Sequence, residues 1–261
     1  MKHEYEELLA CPVTKEKLVK KGSLYYSSIY HYGKTNGCWN FIPEELEELN
    51  SPLWKVWKTL QDNGVASYSN SPTNNLGVGP RKDFLDFASF CDFKGVVLDV
   101  GVGPQISPTH IEYNEKKNVH FIGIDPLIGV QPRKFDFVLG LGEYLPFKNA
   151  SFDQVLFVTS LDHFIDPVKA LQEAKRVLKN SGEICVWLGE KDKNAPKPKE
   201  SPVWYKKLQI PEGAEDPFHF RRFTVAEFMG FIKTAHLKVS KEETHIVDPW
   251  RKNCFFKLIK A

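Results

Sequence analysis

The chain of 261 residues is 42% hydrophobic and 26% charged, which is enough apolar sequence to build the core of a soluble globular protein. Its 35 basic and 33 acidic side chains leave a net charge of only +2, which argues against a nucleic-acid-binding surface. No segment approaches the roughly 18 apolar residues of a membrane span, and the five cysteines form no C-x-x-C pair, so we expect a cytoplasmic protein without a disulfide framework.

The first segment, residues 1–43, is rich in Tyr and Lys. Short alternating runs at 23–26 and 29–32 predict small β-strands, and the residues 33–37 predict a hairpin turn. About 40 residues bury too little surface to fold alone without a metal or disulfides. We therefore expect this β-rich appendage to pack on the rest of the chain.

The second segment, residues 44–93, is predicted to be a helical linker with a lid. Apolar residues recur at helical spacing from Leu46 to Leu60, and Pro52 is expected to break this stretch into two helices. The polar run 67–75 is either a linker loop or a mobile lid over a site. A further helix is predicted at 81–91.

The third segment, residues 94–261, alternates short apolar strands with helices, which is typical of a doubly wound α/β fold with a mostly parallel sheet. The predicted strands are 96–100, 119–124, 135–139, 154–158 and 183–188. A helix is predicted from Pro167 to Lys179, ended by Gly182, and another begins at the capping residue Thr224. The runs 237–241 and 254–259 are expected to form an antiparallel pair at the sheet edge.

Two strand ends carry residues suited to a nucleoside ligand. Gly101 and Gly103 follow the strand that contains Asp99, and glycines at such a turn let the backbone approach a ligand closely. Asp125 ends the next strand, where a carboxylate can accept both hydroxyls of a ribose. The dinucleotide fingerprint requires a third glycine where Ile106 stands, so an NAD or nucleotide-sugar enzyme is a disfavoured alternative.

The ordered motifs LDVGVGP, IGID, GEYLPFKNASFD, SLDHFIDP and RVLKNSGE resemble the class I S-adenosylmethionine-dependent methyltransferases, in particular the type 11 group. The resemblance covers residues 94 to about 190 well and 218–240 loosely. It implies a seven-stranded sheet with a reversed last strand, S-adenosylmethionine as cofactor and S-adenosylhomocysteine as product.

The resemblance also implies a role for individual residues. The methionine end of the cofactor would contact Asp99, Gly101 and Gly103, and Asp125 would hold the ribose. Gly142 and Glu143 would border the adenine, and the residues Ser160 to His163 would lie beside the sulfonium methyl group. Each aspartate has a structural alternative, since Asp99 or Asp125 could simply cap a turn.

Three departures from the family pattern bear on cofactor affinity. Gln105 replaces a glycine, and Leu141 replaces the Asp or Asn that often meets the adenine amino group. Only nine residues, 126–134, join the second and third strands, so we expect the usual helix to be missing. These departures motivate an alternative function as a non-catalytic binding subunit with the methyltransferase fold.

The predicted reaction is methyl transfer, by O-methylation, to a small-molecule, sugar or lipid-linked acceptor. A hydroxyl acceptor must lose its proton, and histidine suits that task. The candidate catalytic residues are His163 and His219, with Asp162 as an orienting partner, although either histidine could instead be a packing residue. Aromatic residues are expected to flank the acceptor site: Trp54, Trp57, Tyr68, Trp204 and Tyr205.

The start of the chain, with Cys11 in LLACPVT, resembles Trm112-type zinc-ribbon domains, which are sometimes fused to type 11 methyltransferases. The family pattern has a second cysteine where Thr14 stands, and Tyr26 and Ile29 stand near the place of the other pair. A zinc site needs four ligands. We therefore expect a degenerate, metal-free module and no metal elsewhere.

Overall fold

A seven-stranded sheet forms the centre of the computed structural model, which describes residues 3–71, 80–114, 116, 118–129, 132–196 and 201–261. Its strands are β6 Val96–Val100, β7 His120–Asp125, β8 Asp136–Leu139, β9 Phe152–Val158, β10 Leu178–Lys191, β11 Leu237–Asp248 and β12 Arg251–Lys260. Their order is β11-β12-β10-β9-β6-β7-β8, and β12 alone is antiparallel to its neighbours. The predicted doubly wound, mostly parallel sheet with a reversed last strand is confirmed.

Helices cover both faces of this sheet. They are α1 His3–Glu6, α2 Pro52–Asn70, α3 Lys82–Cys91, α4 Thr109–Glu112, α5 Pro167–Val177 and α6 Val225–Thr234. On one face, α3 packs Phe87 and Phe90 against β9, β10 and β12. On the other face, α5 and α6 bury Leu171, Ala174 and Phe228. A capping box of Thr224 and Glu227 begins α6, as the sequence predicts.

The predicted helical linker differs from the structure at both ends. The stretch before Pro52 forms only a short 3-10 helix, Glu47–Asn50, and α2 then continues to Asn70. Residues 67–70 of the predicted polar loop are therefore helical, and its residues 72–75 lie outside the described residues. No helix of the described part of the chain has the length and apolarity to cross a bilayer.

The boundary between α5 and β10 also differs from the prediction. The helix ends at Val177 rather than Lys179, because Leu178 already pairs with Phe152 of β9. Gly182 lies inside β10 and does not end the helix. A side chain at this position would meet the Asp153 carbonyl oxygen at 2.8 Å, so glycine here permits the close approach of two strands.

The N-terminal segment contains five short strands: β1 Val19–Lys21, β2 Leu24–Tyr26, β3 His31–Tyr32, β4 Lys34–Thr35 and β5 Cys38–Trp39. It packs against the β8 edge of the main sheet, where the Phe41 amide donates to the Leu139 carbonyl at 2.8 Å. An ion pair of 2.5 Å between Lys15 and Glu173 fastens it to α5. The Cys11 sulfur lies 3.2 Å from the Tyr32 hydroxyl. The boundaries at 43 and 93, and the metal-free state, stay predictions.

Candidate functional site

A cavity of about 330 Å³ opens at the carboxyl ends of β6, β7 and β9. Its lining includes every residue that the sequence assigns to the cofactor: Asp99, Gly101, Gly103, Asp125, Gly142, Glu143 and Ser160. His163 and His219 line it as well. The sequence-predicted residues thus come together, and the size of the cavity is in the range of small-molecule sites.

The glycine turn after β6 needs glycine for two different reasons. Gly101 and Gly103 both have positive φ, +76° and +78°. A side chain at Gly101 would meet the Cβ of Ser160 at 2.5 Å, whereas the nearest atom to one at Gly103 is the Tyr68 hydroxyl, at 4.0 Å. The Ser160 hydroxyl donates to the Val100 carbonyl at 2.6 Å. Gly101 therefore serves packing, and Gly103 leaves the backbone open to a ligand.

Asp125 is fixed at the end of β7 by two backbone amides. The Leu127 and Gly103 amides each donate to one of its carboxylate oxygens at 2.8 Å. Burial raises the pKa of Asp125 to about 6, although these hydrogen bonds and the charge of Arg133 oppose the shift. A carboxylate offers about four lone-pair sites, so acceptor capacity remains for ligand hydroxyls.

Arg133 joins the two loops that border the cavity, and the sequence gives no motif for this role. Its guanidinium donates to the Gly103, Gln105, Leu127 and Ile128 carbonyls over 2.7–3.2 Å. It also lies 3.8 Å from the ring centroid of Phe137. The described residues of the connection 126–134 contain no helix, so side-chain hydrogen bonds hold these loops instead.

Asp99 is fully buried and pairs with His110 of α4, a residue that the sequence analysis did not single out. The His110 Nε2 and an Asp99 carboxylate oxygen are 2.7 Å apart. The other Asp99 oxygen, Oδ1, has no partner among the described residues. Buried polar atoms are nearly always paired in folded proteins, so this oxygen is an exception that has unused hydrogen-bonding capacity.

Gly142 and Glu143 shape the opposite end of the cavity. A side chain at Gly142 would meet the Phe164 ring at 2.7 Å. The Glu143 carboxylate accepts from the Ile165 amide at 3.0 Å and so anchors the chain just before α5. Burial raises the pKa of Glu143 to about 7. Part of the role of Glu143 is therefore structural.

Two histidines stack at the side of the cavity, with ring centroids 4.3 Å apart. The His219 Nδ1 contacts both oxygens of Asp216 at 2.8 and 3.0 Å, whereas Asp162 lies 3.6 Å from its Nε2. The orienting contact thus comes from Asp216 rather than from Asp162. The His163 Nδ1 donates to the Phe218 carbonyl at 3.1 Å.

Burial lowers the pKa of His163, and the nearby His219 adds to this shift. Burial alone would raise the pKa of Asp216, but hydrogen bonds and the charge of His219 bring it well below its usual range. Ligand atoms of Asp162, His163 and His219 lie within 4.8 Å of one another, so this cluster could hold a metal ion. The expectation that the chain needs no metal stays a prediction.

Helix α2 and the segment before α6 cover the cavity. The Trp57 indole donates to the His163 carbonyl at 3.1 Å, and Asn63 donates to the Pro217 carbonyl at 2.7 Å. Trp57 and Tyr68 line the cavity, as the sequence predicts for the acceptor site. Trp54 instead packs with Leu141 and Tyr144. Trp204 lines a separate cleft of about 750 Å³ on the other side of α2.

Residues 98–186 match the family model described as a methyltransferase domain. Among curated relatives, MJ1123 of Methanocaldococcus jannaschii is 31% identical over 99 residues, which cover 38% of this chain and 46% of that protein. YafE of Escherichia coli is 33% identical over 100 residues, which cover 38% of this chain and 45% of that protein. The chain thus spans less than half the length of these relatives.

A solved structure shares the fold over most of the chain. It is the 1,6-didemethyltoxoflavin-N1-methyltransferase of Burkholderia thailandensis, solved with 1,6-didemethyltoxoflavin and S-adenosylhomocysteine. The TM-score is 0.60 at 13% identity, and the likeness covers 92% of this chain and 100% of that one. At this identity the likeness is evidence of the fold alone. The comparisons thus show a methyltransferase-domain match over residues 98–186 and a methyltransferase fold over most of the chain.

Proposed function

We propose that this chain is a methyltransferase that uses S-adenosylmethionine and methylates a hydroxyl of a small-molecule, sugar or lipid-linked acceptor. The observation that carries the proposal is the contact between the two strand ends. The Gly103 amide and the Asp125 carboxylate are 2.8 Å apart and line one cavity with Asp99. A cavity with a glycine turn on one side and a buried carboxylate on the other suits a nucleoside with an amino-acid tail.

The residues present fit this cofactor by two further observations. Asp99 keeps a buried oxygen without a partner, which suits the ammonium group of the methionine part. Gly103 leaves an open space where a side chain would project toward Tyr68. By the family resemblance, Gly142 and Glu143 border the adenine. Leu141 is buried against Trp54 and Tyr144, so backbone groups would have to supply any polar contact to the adenine amino group.

Bound S-adenosylmethionine supplies a methyl group that is already activated by the positive charge on sulfur. The protein then has to hold the acceptor in line, exclude water and take up a proton. We assign the proton to His219 Nε2. Asp216 holds the Nδ1–H of this ring, so Nε2, which lies 3.6 Å from Asp162, is the nitrogen that accepts the proton. His163 stacks on this ring, with the two ring centroids 4.3 Å apart.

The residues that cover the cavity support a small molecule as the methyl acceptor. Helix α2 contributes Trp57, Leu60 and Tyr68 to the lining, and the segment before α6 contributes Phe218. Apolar and aromatic walls with a few polar groups are typical of sites for small molecules. The net charge of +2 offers no support for a nucleic-acid acceptor.

Isothermal titration with S-adenosylmethionine and S-adenosylhomocysteine tests the cofactor. We expect both to bind, and we expect Asp125→Ala to weaken both about 10- to 100-fold, since it removes hydrogen bonds to a charged group. Transfer of labelled methyl groups to a panel of phenols, sugars and quinones then tests the reaction. A chain that binds neither compound would instead be the non-catalytic subunit with a methyltransferase fold.

A further inference from the structure

Asp99 and His110 form a buried hydrogen-bonded pair, and each of the two side chains has one further polar atom that could bind a ligand. The side chains are 0% and 2% exposed, and their contact is 2.7 Å long. Neither Asp99 Oδ1 nor His110 Nδ1 has a partner among the described residues. Both residues line the cavity. His110 lies outside every motif on which the family resemblance rests, so that resemblance gives it no role.

The ring of His110 is held firmly. It is stacked against Phe84 at a centroid distance of 5.7 Å and 16°, and Phe93 lies 6.4 Å away on a tilted plane. A carboxylate only accepts hydrogen bonds, so the Nε2 of this fixed ring donates to Asp99 Oδ2. The second oxygen of the carboxylate is thereby left in one defined orientation.

The charges around the cavity favour a cationic ligand group at this place. Asp99 and Asp125 are both buried carboxylates that line it. Two cations are nearby: Arg133 is already used by four backbone carbonyls, and Arg81, which lines the cavity, pairs with Asp83 at 2.6 Å. A buried carboxylate oxygen without a partner is costly, and a primary ammonium group, which has three donors, would remove that cost.

We propose that His110 is a positioning residue: by holding Asp99 Oδ2, it presents Asp99 Oδ1 to the α-ammonium group of the ligand's amino-acid part. This inference rests on the proposed function, because it takes S-adenosylmethionine and S-adenosylhomocysteine as the ligands. His110 thereby joins the site, and the ligand group that it affects is the α-ammonium group. His110 thus affects the affinity for the amino-acid end of the ligand and not for the nucleoside end.

Two ligands and a matched control separate this role from ordinary packing. S-adenosylhomocysteine carries the ammonium group, whereas 5′-methylthioadenosine keeps the nucleoside and thioether but lacks the amino-acid part. The chain has a histidine–aspartate pair away from the cavity, His120 and Asp136, which are 2.9 Å apart. His120 stacks on Tyr5 and does not line the cavity. His120→Phe is therefore the control for His110→Phe.

The dissociation constants of both ligands are measured by calorimetry for the wild type and each variant. We expect His110→Phe to weaken S-adenosylhomocysteine about 10- to 100-fold and 5′-methylthioadenosine less than about threefold. His110→Gln, whose amide can still donate to Asp99, should stay within about fivefold of the wild type for both. His120→Phe should leave both affinities unchanged.

The inference is overturned if His110→Phe loses affinity equally for the two ligands, or loses it for neither. The proposed function would still stand. If His110→Phe fails to fold, Asp99→Asn answers the same question, because it keeps the shape and removes the charge. It should weaken S-adenosylhomocysteine selectively, and an equal effect on both ligands contradicts the inference. A wild-type chain that binds neither ligand overturns the proposed function itself.

Discussion

At the scale of single residues, the pair of His219 and Asp216 carries the proposed proton transfer. Replacing His219 by Gln removes the base and should lower kcat about 10²- to 10⁴-fold. The affinity for S-adenosylhomocysteine should stay within about twofold, since the histidine is assigned to the acceptor. The measurement is steady-state turnover with the best acceptor of the panel, together with calorimetry.

The control for this experiment is His245→Gln, which changes a half-exposed histidine on β11 that does not line the cavity. His163→Gln is measured in parallel, because the stacked ring is the other candidate base. If His219→Gln keeps full turnover and His163→Gln loses it, the two histidines have exchanged roles. If both keep full turnover, the chain uses no histidine base.

Asp125 gives the cofactor affinity a predictable dependence on pH. Burial raises its pKa to about 6, so the free protein takes up a proton there as the pH falls through that value. Ribose hydroxyls donate to the ionised form, so binding favours deprotonation. The affinity should therefore be constant above about pH 7 and fall up to about tenfold per pH unit below about pH 6.

Calorimetric titration with S-adenosylhomocysteine from about pH 8 to about pH 5 measures this slope. Asp125→Asn should bind weakly and without the decline below pH 6. Glu143, whose pKa is about 7, is another buried carboxyl group in the lining, so Glu143→Gln is the control and should keep the decline. If the affinity of Asp125→Asn still declines at low pH, a group other than Asp125 causes the decline.

The residues of the site differ in whether the neighbouring sequence indicates their role. Asp99, Gly101, Gly103 and Asp125 could be predicted because each follows a buried strand, and the carboxyl ends of parallel strands meet at one edge. His110 carries no such signal. It contacts Asp99 from α4, 11 residues further along the chain, and a lone histidine in a sequence does not reveal its partner.

At the scale of elements, Arg133 holds a connection that lacks the usual crossover helix. The connection between β7 and β8 is too short for the usual crossover helix, and the Arg133 guanidinium bridges carbonyls of both cofactor loops. A lysine has one ammonium group and cannot reach four carbonyls in two loops. Arg133→Lys should lower the free energy of unfolding by about 2–4 kcal/mol and weaken S-adenosylhomocysteine about tenfold.

Urea unfolding and calorimetry measure these two effects. Arg251→Lys is the control, since Arg251 is exposed and pairs with Asp248 on the surface, where such pairs contribute about 0–1 kcal/mol. The account of Arg133 fails if Arg133→Lys matches this control in both stability and affinity.

Strand and helix types could be predicted from periodicity, but their ends could not. The strand Val96–Val100 is predicted at its observed limits. The switch from α5 to β10 comes earlier than predicted because Leu178 gains a pairing partner in β9, and that pairing depends on the tertiary structure. Helix α2 likewise continues through the polar run at 67–70, although Ser and Asn have weak helix propensity.

At the scale of the whole molecule, the N-terminal segment covers an edge of the sheet. An exposed edge strand offers unpaired backbone groups to other chains, and the residues around Phe41 occupy this position along β8. Phe41 is fully buried between the N-terminal tyrosines and the main core. Phe41→Ala should therefore cost about 3–5 kcal/mol of stability.

Thermal and urea unfolding of Phe41→Ala measure this cost, and Ile29→Ala is the control, because Ile29 is 70% exposed in the same segment. A single unfolding transition at lower denaturant concentration is expected, since the two parts share one hydrophobic core. Two separate transitions, with the main sheet unaffected, contradict this shared core.

In the proposed function, the ends of β6 and β7 hold the two ends of a sulfonium nucleoside. The most direct measurement is a crystal structure of the chain grown with S-adenosylhomocysteine. We expect ribose hydroxyls on the Asp125 carboxylate and the amino-acid end beside Asp99 and the Gly103 backbone. A cavity filled by the protein's own side chains, with Asp125 turned away and the ligand absent or bound elsewhere, would contradict it.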